Sequence, residues 1–362
     1  MLESFVIVVV LVVGVILLIA TNIHYFGRDE RKNVEKFEKC GDDLKVIKAG
    51  DYLQEDFRSS RTLPQNKYFV RVANMNIQLG VNIDLIMSEL NELDCDLIIL
   101  QQVAVNVSQS NYIDTGKEIA KSLNLNYIFV CEEVNKNPNT IKTKSMIGNA
   151  ILTKFDIKDV DLILLQCKQK NSVYGVHIDH KECNKIHASP AVTLSHKDDK
   201  LIQCFCLNLD KHYTGVDGRK DTVQEVIDYA NTSKKDGVYQ MIVGNLNTIC
   251  TGVKKFEIPK VSPDLKSTFG NFMKTEAEFL DKTINKAGFF DPFGKKSFTN
   301  WIPFKWFMSD CDASATSKNG SYAAKLDWIL ARRTEMKDID RGVRCTNLER
   351  RLIYADLEFL NK

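Results

Sequence analysis

The stretch Met241-Ile242-Val243-Gly244-Asn245-Leu246-Asn247-Thr248 limits the architecture of this chain most sharply. Three apolar residues stop at a glycine, and two amide side chains then stand one residue apart. That pattern reads as a buried strand ending in a tight turn, with Asn245 and Asn247 projecting from its carboxyl end. Strand ends of layered α/β folds are where ligands usually sit. The plainer reading is a turn that uses Asn for its backbone tolerance and side-chain hydrogen bonds.

The same arrangement recurs along the chain. Tyr68 to Ile77 reads as a strand running into Gln78-Leu79-Gly80, and Asn82 can cap a helix with apolar positions Ile83, Ile86, Met87, Leu90 and Leu93. Asp96 to Leu100 is a buried strand running into Gln101-Gln102. A helix over Thr115 to Leu123 precedes the strand Tyr127 to Cys131. Further strands are expected from Gly148, at Leu162–Cys167, Ala191–Ser195 and Leu201–Leu207, with helices over Thr222–Ala230 and Glu276–Lys286. Lys325–Leu330 and Leu352–Asp356 close the series. Short strands with interleaved helices argue for a layered α/β sandwich.

A chain of 362 residues, 44% hydrophobic, can bury a sizeable core as one large domain or two small ones. The formal net charge of +2 gives no strong electrostatic case for nucleic acid. Ten cysteines are scattered without a pairing frame, which favours a reducing compartment. Cys204 and Cys206 alternate within an apolar run and read as core residues.

Phe5 to Ile23 is almost wholly apolar, and about 20 such residues span a bilayer core as a helix. A cleavable signal peptide is the rival, but Met-Leu-Glu-Ser supplies no basic n-region. The expected organisation is a membrane anchor over residues 1–27, a charged juxtamembrane linker over 28–66 and one domain over 67–362. Arg28, Arg31, Lys32, Lys36 and Lys39 follow the span, and no Lys or Arg precedes it. The positive-inside rule then makes this a single-pass protein with its domain in the cytosol. The acceptor triplets at Asn106, Asn231 and Asn319 keep a lumenal or extracellular domain as the alternative.

Five separated blocks carry a resemblance: VANMNIQLG, DLIILQQV, GNAILTKFDI, IVGNLNT, and AGFFDPF followed by KLDWIL. In order and spacing they resemble the endonuclease/exonuclease/phosphatase superfamily of DNase-I-like proteins. The resemblance covers about residues 67–360 and implies a four-layer α/β/β/α sandwich. It also implies a site where a divalent metal binds carboxylate and substrate phosphate, an aspartate activates water, and a histidine held by its own aspartate meets the developing charge.

The residues at those positions depart from the pattern. Gln102 stands at the metal-binding glutamate, Asn208 at a histidine, and Asn245 at the first aspartate of Gly-Asp-x-Asn. With YADL matched to the closing Ser-Asp-His, Leu357 replaces the last histidine. Asn76, Asn247, Asp327 and Asp356 keep their types. Glu to Gln and Asp to Asn conserve shape and remove charge. A neutral amide serves a hard cation poorly and is no base near neutral pH. General acid–base groups each contribute about a hundred- to ten-thousandfold. The expectation is therefore a binding or scaffolding protein without hydrolytic activity and without a metal cofactor. It would hold a phosphorylated ligand through Asn76 and Asn247, or bind a protein partner. The alternative is an active, divergent phosphoesterase using Mg2+. Glu132 and Glu133, expected just past a strand end, and His212 are the neighbours that could restore a site.

Three features stand apart. His177, His180, Cys183 and His187 could bind zinc, although their spacing matches no familiar module and a solvated loop is the plainer reading. Trp301 to Phe307 could stack a base or enter a membrane interface, or pack on the core. Arg332-Arg333 and Arg350-Arg351 read as solvated edges, with phosphate steering as the alternative.

Overall fold

In the computed structural model, the described residues are 37, 39–40, 44–60, 68–136, 144–165, 186–196, 200–209, 215–246, 280–293, 317–319, 322–324, 326–344 and 351–360. The apolar run Phe5–Ile23 lies outside them, as do Asn247, His212 and Trp301–Phe307. Among the described residues no helix is long and apolar enough to cross a membrane.

Two sheets carry the domain. The first has seven strands in the order β1 (Tyr52–Asp56), β4 (Asn126–Lys136), β5 (Lys144–Thr153), β3 (Leu97–Val105), β2 (Phe69–Asn76), β15 (Leu352–Phe359) and β14 (Met336–Arg344). The second has six, in the order β10 (Phe289–Phe290), β13 (Asp327–Arg332), β9 (Val238–Asn245), β8 (Leu201–Asn208), β7 (Ala188–Ser195) and β6 (Asp156–Leu164). A small hairpin joins β11 (Ser317–Asn319) to β12 (Tyr322–Ala324).

Each large sheet contains one parallel pair, β2 with β3 and β8 with β9. Parallel neighbours need a crossover, and here a helix makes each one. Helix α1 (Ile83–Leu93) links the first pair and α3 (Gly215–Thr232) the second. The helix α2 (Thr115–Ser122) lies over β3 and β4. Asp114 caps α2 by accepting from the Lys117 backbone N–H at 2.9 Å, as the N-cap rule anticipates. Asn82 occupies the same position before α1 but makes no side-chain cap bond.

The strands alternate faces, and that alternation builds the interior. Val70 and Val72 of β2, Leu97 and Ile99 of β3, Ile128 and Val130 of β4, and Ile151 of β5 point to one face. They meet Ile202, Cys204 and Cys206 of β8, Met241 and Val243 of β9, and Ile329 and Ala331 of β13. The opposite face of the second sheet packs Phe205, Leu207, Ile242 and Leu330 against Val223, Val226, Ile227 and Ala230 of α3. The result is a mixed α/β sandwich of helix, sheet, sheet and helix layers.

Several boundaries differ from the sequence reading. A strand lies at Asp156–Leu164 where Leu162–Cys167 was expected, and a helix at Gly215–Thr232 where Thr222–Ala230 was expected. Two further differences concern β4 and its neighbour. Residues 28–66 read as a linker, yet Tyr52–Asp56 pairs antiparallel with Asn126–Val130 as an edge strand. Its exposure alternates and its sequence, YLQED, is mostly polar, as edge strands often are, so no apolar run announced it. Strand β4 also continues five residues beyond Cys131, so Glu132 and Glu133 lie within a strand instead of after one.

Candidate functional site

At the carboxyl ends of both parallel pairs the inward-facing series changes from apolar to polar. On β2, Val70 and Val72 give way to Asn74 and Asn76. On β3, Leu97 and Ile99 give way to Gln101, and on β5 Ile151 precedes Asn149 toward the same end. On β8, Cys204 and Cys206 lead to Asn208, on β9 Val243 leads to Asn245, and β13 enters with Asp327. Registers hold these residues level: Asn76 faces Gln101, Gln101 faces Asn149, Asn208 faces Asn245 and Asn245 faces Asp327. All of them are buried.

Direct bonds tie the layer together across the sandwich. Gln101 Nε2 donates to Asn74 Oδ1 at 2.7 Å, and Asn74 Nδ2 donates to the Gly244 carbonyl of the other sheet at 3.2 Å. Asn76 Oδ1 accepts from the Gln78 N–H at 3.0 Å, holding the turn after β2. Gln101 Oε1 and both polar atoms of Asn149 find no hydrogen-bond partner among the described residues. Buried amides are normally satisfied, so such atoms mark a place built for water or ligand.

Two β-bulges shape one wall. β3 shifts register between Gln101 and Val103, and β4 between Cys131 and Glu133. Both open opposite Gly148 of β5. A Cβ there would stand 1.9 Å from the Val130 carbonyl oxygen, so glycine is required. The first bulge sets Gln102 in the left-handed region at φ 55°. The second carries Glu132, which follows Ile128 and Val130 on the inward face and is 1% exposed. Bulges beside sites re-aim side chains in this way.

Glu132 therefore brings to the layer a carboxylate that the substituted positions Gln102, Asn208 and Asn245 do not supply. Its Oε2 accepts from Asn208 Nδ2 at 3.2 Å. Its charge, with burial as the larger cause, helps hold the Cys206 thiol well above its ordinary range. Sequence reasoning named Glu132 only as a rescue from a strand end. Alternation continued past Cys131 puts it on the inward face, and the strand's length beyond that point is what the sequence reading missed.

The sequence-derived positions divide. Asn76, Asn208, Asn245 and Asp327 meet at the polar layer, Gln102 lies on its bulge beside it, and Asn247 is outside the described residues. Asp356 and Leu357 are not brought there. β15 runs antiparallel to β2, with Asp356 level with Arg71 and Leu357 with Val70. That places them five and six residues from Asn76, about 17–20 Å along the strand. Asp356 instead accepts a bidentate pair from Arg71 at 2.7 Å and 2.7 Å, and Leu357 belongs to the apolar interior.

Three other expectations change. Arg332 is no solvated edge. It is buried, donates to Gln240 Oε1 at 2.8 Å and lies over the Phe289 ring. Arg351 is also buried. Asn106, one of the acceptor triplets, is buried and donates to the Lys144 carbonyl. Of the histidine–cysteine cluster, only His187 falls among the described residues.

A divalent metal, which the resemblance implies, does not fit the described residues. A hard cation draws carboxylates to within about 2–2.6 Å of one point. Glu132 and Asp327 flank the layer instead. Asp327 lies two strands from Asn208, the partner of Glu132, a separation of about 10 Å. The donors between them are neutral amides. Among the described residues no three His, Cys, Asp or Glu side chains group as a metal site.

The fold has counterparts among solved structures. An endonuclease/exonuclease/phosphatase from Beutenbergia cavernae DSM 12333 superposes with a TM-score of 0.55 at 14% identity, covering 81% of this chain and 72% of that one. The human Nocturnin catalytic domain with bound sulfate anion gives 0.51 at 13% identity, over 86% and 97%. An endonuclease/exonuclease/phosphatase family protein from Leptotrichia buccalis C-1013-b gives 0.50 at 15%, over 80% and 100%. No family model matches the sequence, and no curated protein matches it. At such identities the likeness is one of fold: the DNase-I-like sandwich.

Proposed function

We propose that this chain is a phosphoester-binding protein on a DNase-I-like sandwich, without hydrolytic activity, and held to a membrane through Phe5–Ile23. The observation that carries this reading is the chemistry of the polar layer. Asn74, Asn76, Gln101, Asn149, Asn208 and Asn245 are hydrogen-bonding and neutral. Amides donate to phosphate oxygens, but they neither hold a divalent cation well nor move protons near neutral pH. The last histidine of the chain is His212, so the closing strands supply no imidazole whatever their alignment.

One observation favours a second reading. Glu132 and Asp327 are carboxylates at the layer's two ends, and a metal-dependent phosphoesterase would use them. Turnover separates the two readings. The full chain, with Mg2+ present, is incubated with a phosphomonoester and a phosphodiester of p-nitrophenol. The binding reading expects no release above the buffer rate. Release that disappears in Asp327→Ala would establish the second reading in its place.

A further inference from the structure

We infer that Gln101 and Asn149 form a recognition corner of the polar layer, taking two neighbouring hydroxyls on the alcohol portion of a phosphoester. This rests on the phosphoester-binding reading and names the ligand class as a polyol phosphate.

Neighbouring groups fix the orientation of Gln101. Its Nε2 donates to Asn74 Oδ1, and Asn74 Nδ2 donates to the Gly244 carbonyl. A carbonyl only accepts, so neither amide can be turned round. Gln101 Oε1 is therefore an acceptor set in place, and it has no hydrogen-bond partner among the described residues. Asn149 pairs with Gln101 in the strand register, and both of its polar atoms lack a partner there as well. Both residues are 0% exposed. Directly opposed residues on antiparallel strands carry their Cβ atoms about 4.5–5.5 Å apart, so the two amides are neighbours. The Cys206 side chain meets Gln101 from the other sheet.

The open atoms select the ligand. Gln101 Oε1 and Asn149 Oδ1 accept, and only Asn149 Nδ2 donates. An ionised phosphate oxygen only accepts, so it is poorly met here. Val130 is the other register partner of Asn149, and the Glu132 carboxylate follows it on the same face, which further disfavours an anion. The corner therefore meets the alcohol portion, with the phosphate elsewhere in the layer. An ammonium only donates and would leave Asn149 Nδ2 unmet. A hydroxyl both donates and accepts. One hydroxyl that accepts from Asn149 Nδ2 and donates to Gln101 Oε1, with its neighbour donating to Asn149 Oδ1, satisfies all three atoms.

Calorimetric titration of the full chain with glycerol 3-phosphate and with n-propyl phosphate, which lacks both hydroxyls, tests this. Wild-type protein should bind glycerol 3-phosphate about tenfold or more tightly, the size of one or two buried hydrogen bonds. In Asn149→Leu the preference should fall to about twofold or less, with propyl phosphate binding unchanged. Resistance of that variant to urea should match or exceed wild type, because an unmet buried amide gives way to an apolar group. Asn149→Ala carries the same expectation for the preference if leucine prevents folding. Equal affinity of wild type for the two probes overturns the corner's role, leaves its open atoms to buried water, and keeps the phosphoester reading. A preference that survives in the folded variants also overturns that role, as does a lower urea resistance in Asn149→Leu. No binding of either probe by folded wild-type protein overturns both.

Discussion

Asn208 Nδ2 and Glu132 Oε2 stand 3.2 Å apart across the interior of the sandwich, one from each sheet. The amide sits where the resemblance expects a histidine, and the carboxylate arrives from a bulged strand. The contact gives Glu132 a neutral hydrogen-bond donor. Removing its charge without changing its shape therefore separates binding from hydrolysis. Glu132→Gln should bind inorganic phosphate severalfold more tightly than wild type, because a carboxylate no longer faces the anion. Calorimetry at constant ionic strength measures this. A weaker affinity would mean that Glu132 assists the ligand.

Arg71 and Asp356 form a bidentate pair at the far end of β2 and β15, with Arg71 partly exposed and Asp356 buried. Breaking a fully buried pair costs about 3–5 kcal/mol; with one partner partly in water, Arg71→Ala should cost about 2 kcal/mol. Chemical denaturation measures the loss. Phosphate affinity should not change, since the pair is about 17 Å from Asn76. A matching loss of affinity at full folding would return Asp356 to the site.

Asp114 has its carboxyl pushed up to about 6, chiefly by burial, against the lowering effect of bonds from the Lys117 N–H and the Tyr127 hydroxyl. Unfolded, it titrates near its ordinary value of 3.8. Between those values the folded chain holds more protons than the unfolded one, so this group's contribution falls as pH rises from about 4 to 6. The loss is roughly 2–3 kcal/mol at most. Asp114→Asn keeps a cap acceptor and should flatten the stability profile in that window. An unchanged profile would show that the carboxyl titrates normally.

Gly244 lies in the strand that links the two sheets through Asn74. A Cβ at Gly244 would stand 1.9 Å from the Leu207 carbonyl oxygen, and φ there is +153°. Gly244→Ala must displace backbone and should cost roughly 3 kcal/mol or more, at the large end for single substitutions. Thermal unfolding reads this directly. A shift of only a degree or two would mean that β8 and β9 can separate freely.

Much of the sandwich was legible because alternation and apolar runs encode it. The strands at Phe69–Asn76 and Val238–Asn245 and the helix at Ile83–Leu93 fall close to their expected places, and Cys204 and Cys206 are core residues as expected. The amides at Asn76, Asn208 and Asn245 were legible because each ends a strand. Glu132 was not, since the apolar run ends at Cys131 while the strand goes on to Lys136 and keeps Glu132 on the inward face of Ile128 and Val130. Asp356 and Leu357 were misplaced for a related reason. A short motif sets residue order, but only strand pairing shows which end of β15 meets the site. Arg351 read as surface because a charged residue before a strand is usually solvated.

The central claim is that this layer holds phosphate but neither gathers a divalent cation nor cleaves an ester. Magnesium titration of the full chain by calorimetry, in the presence of glycerol 3-phosphate, tests that claim most directly. The account predicts no saturable heat, and the same trace in Glu132→Gln and Asp327→Ala. Saturable magnesium binding that either substitution abolishes would contradict it.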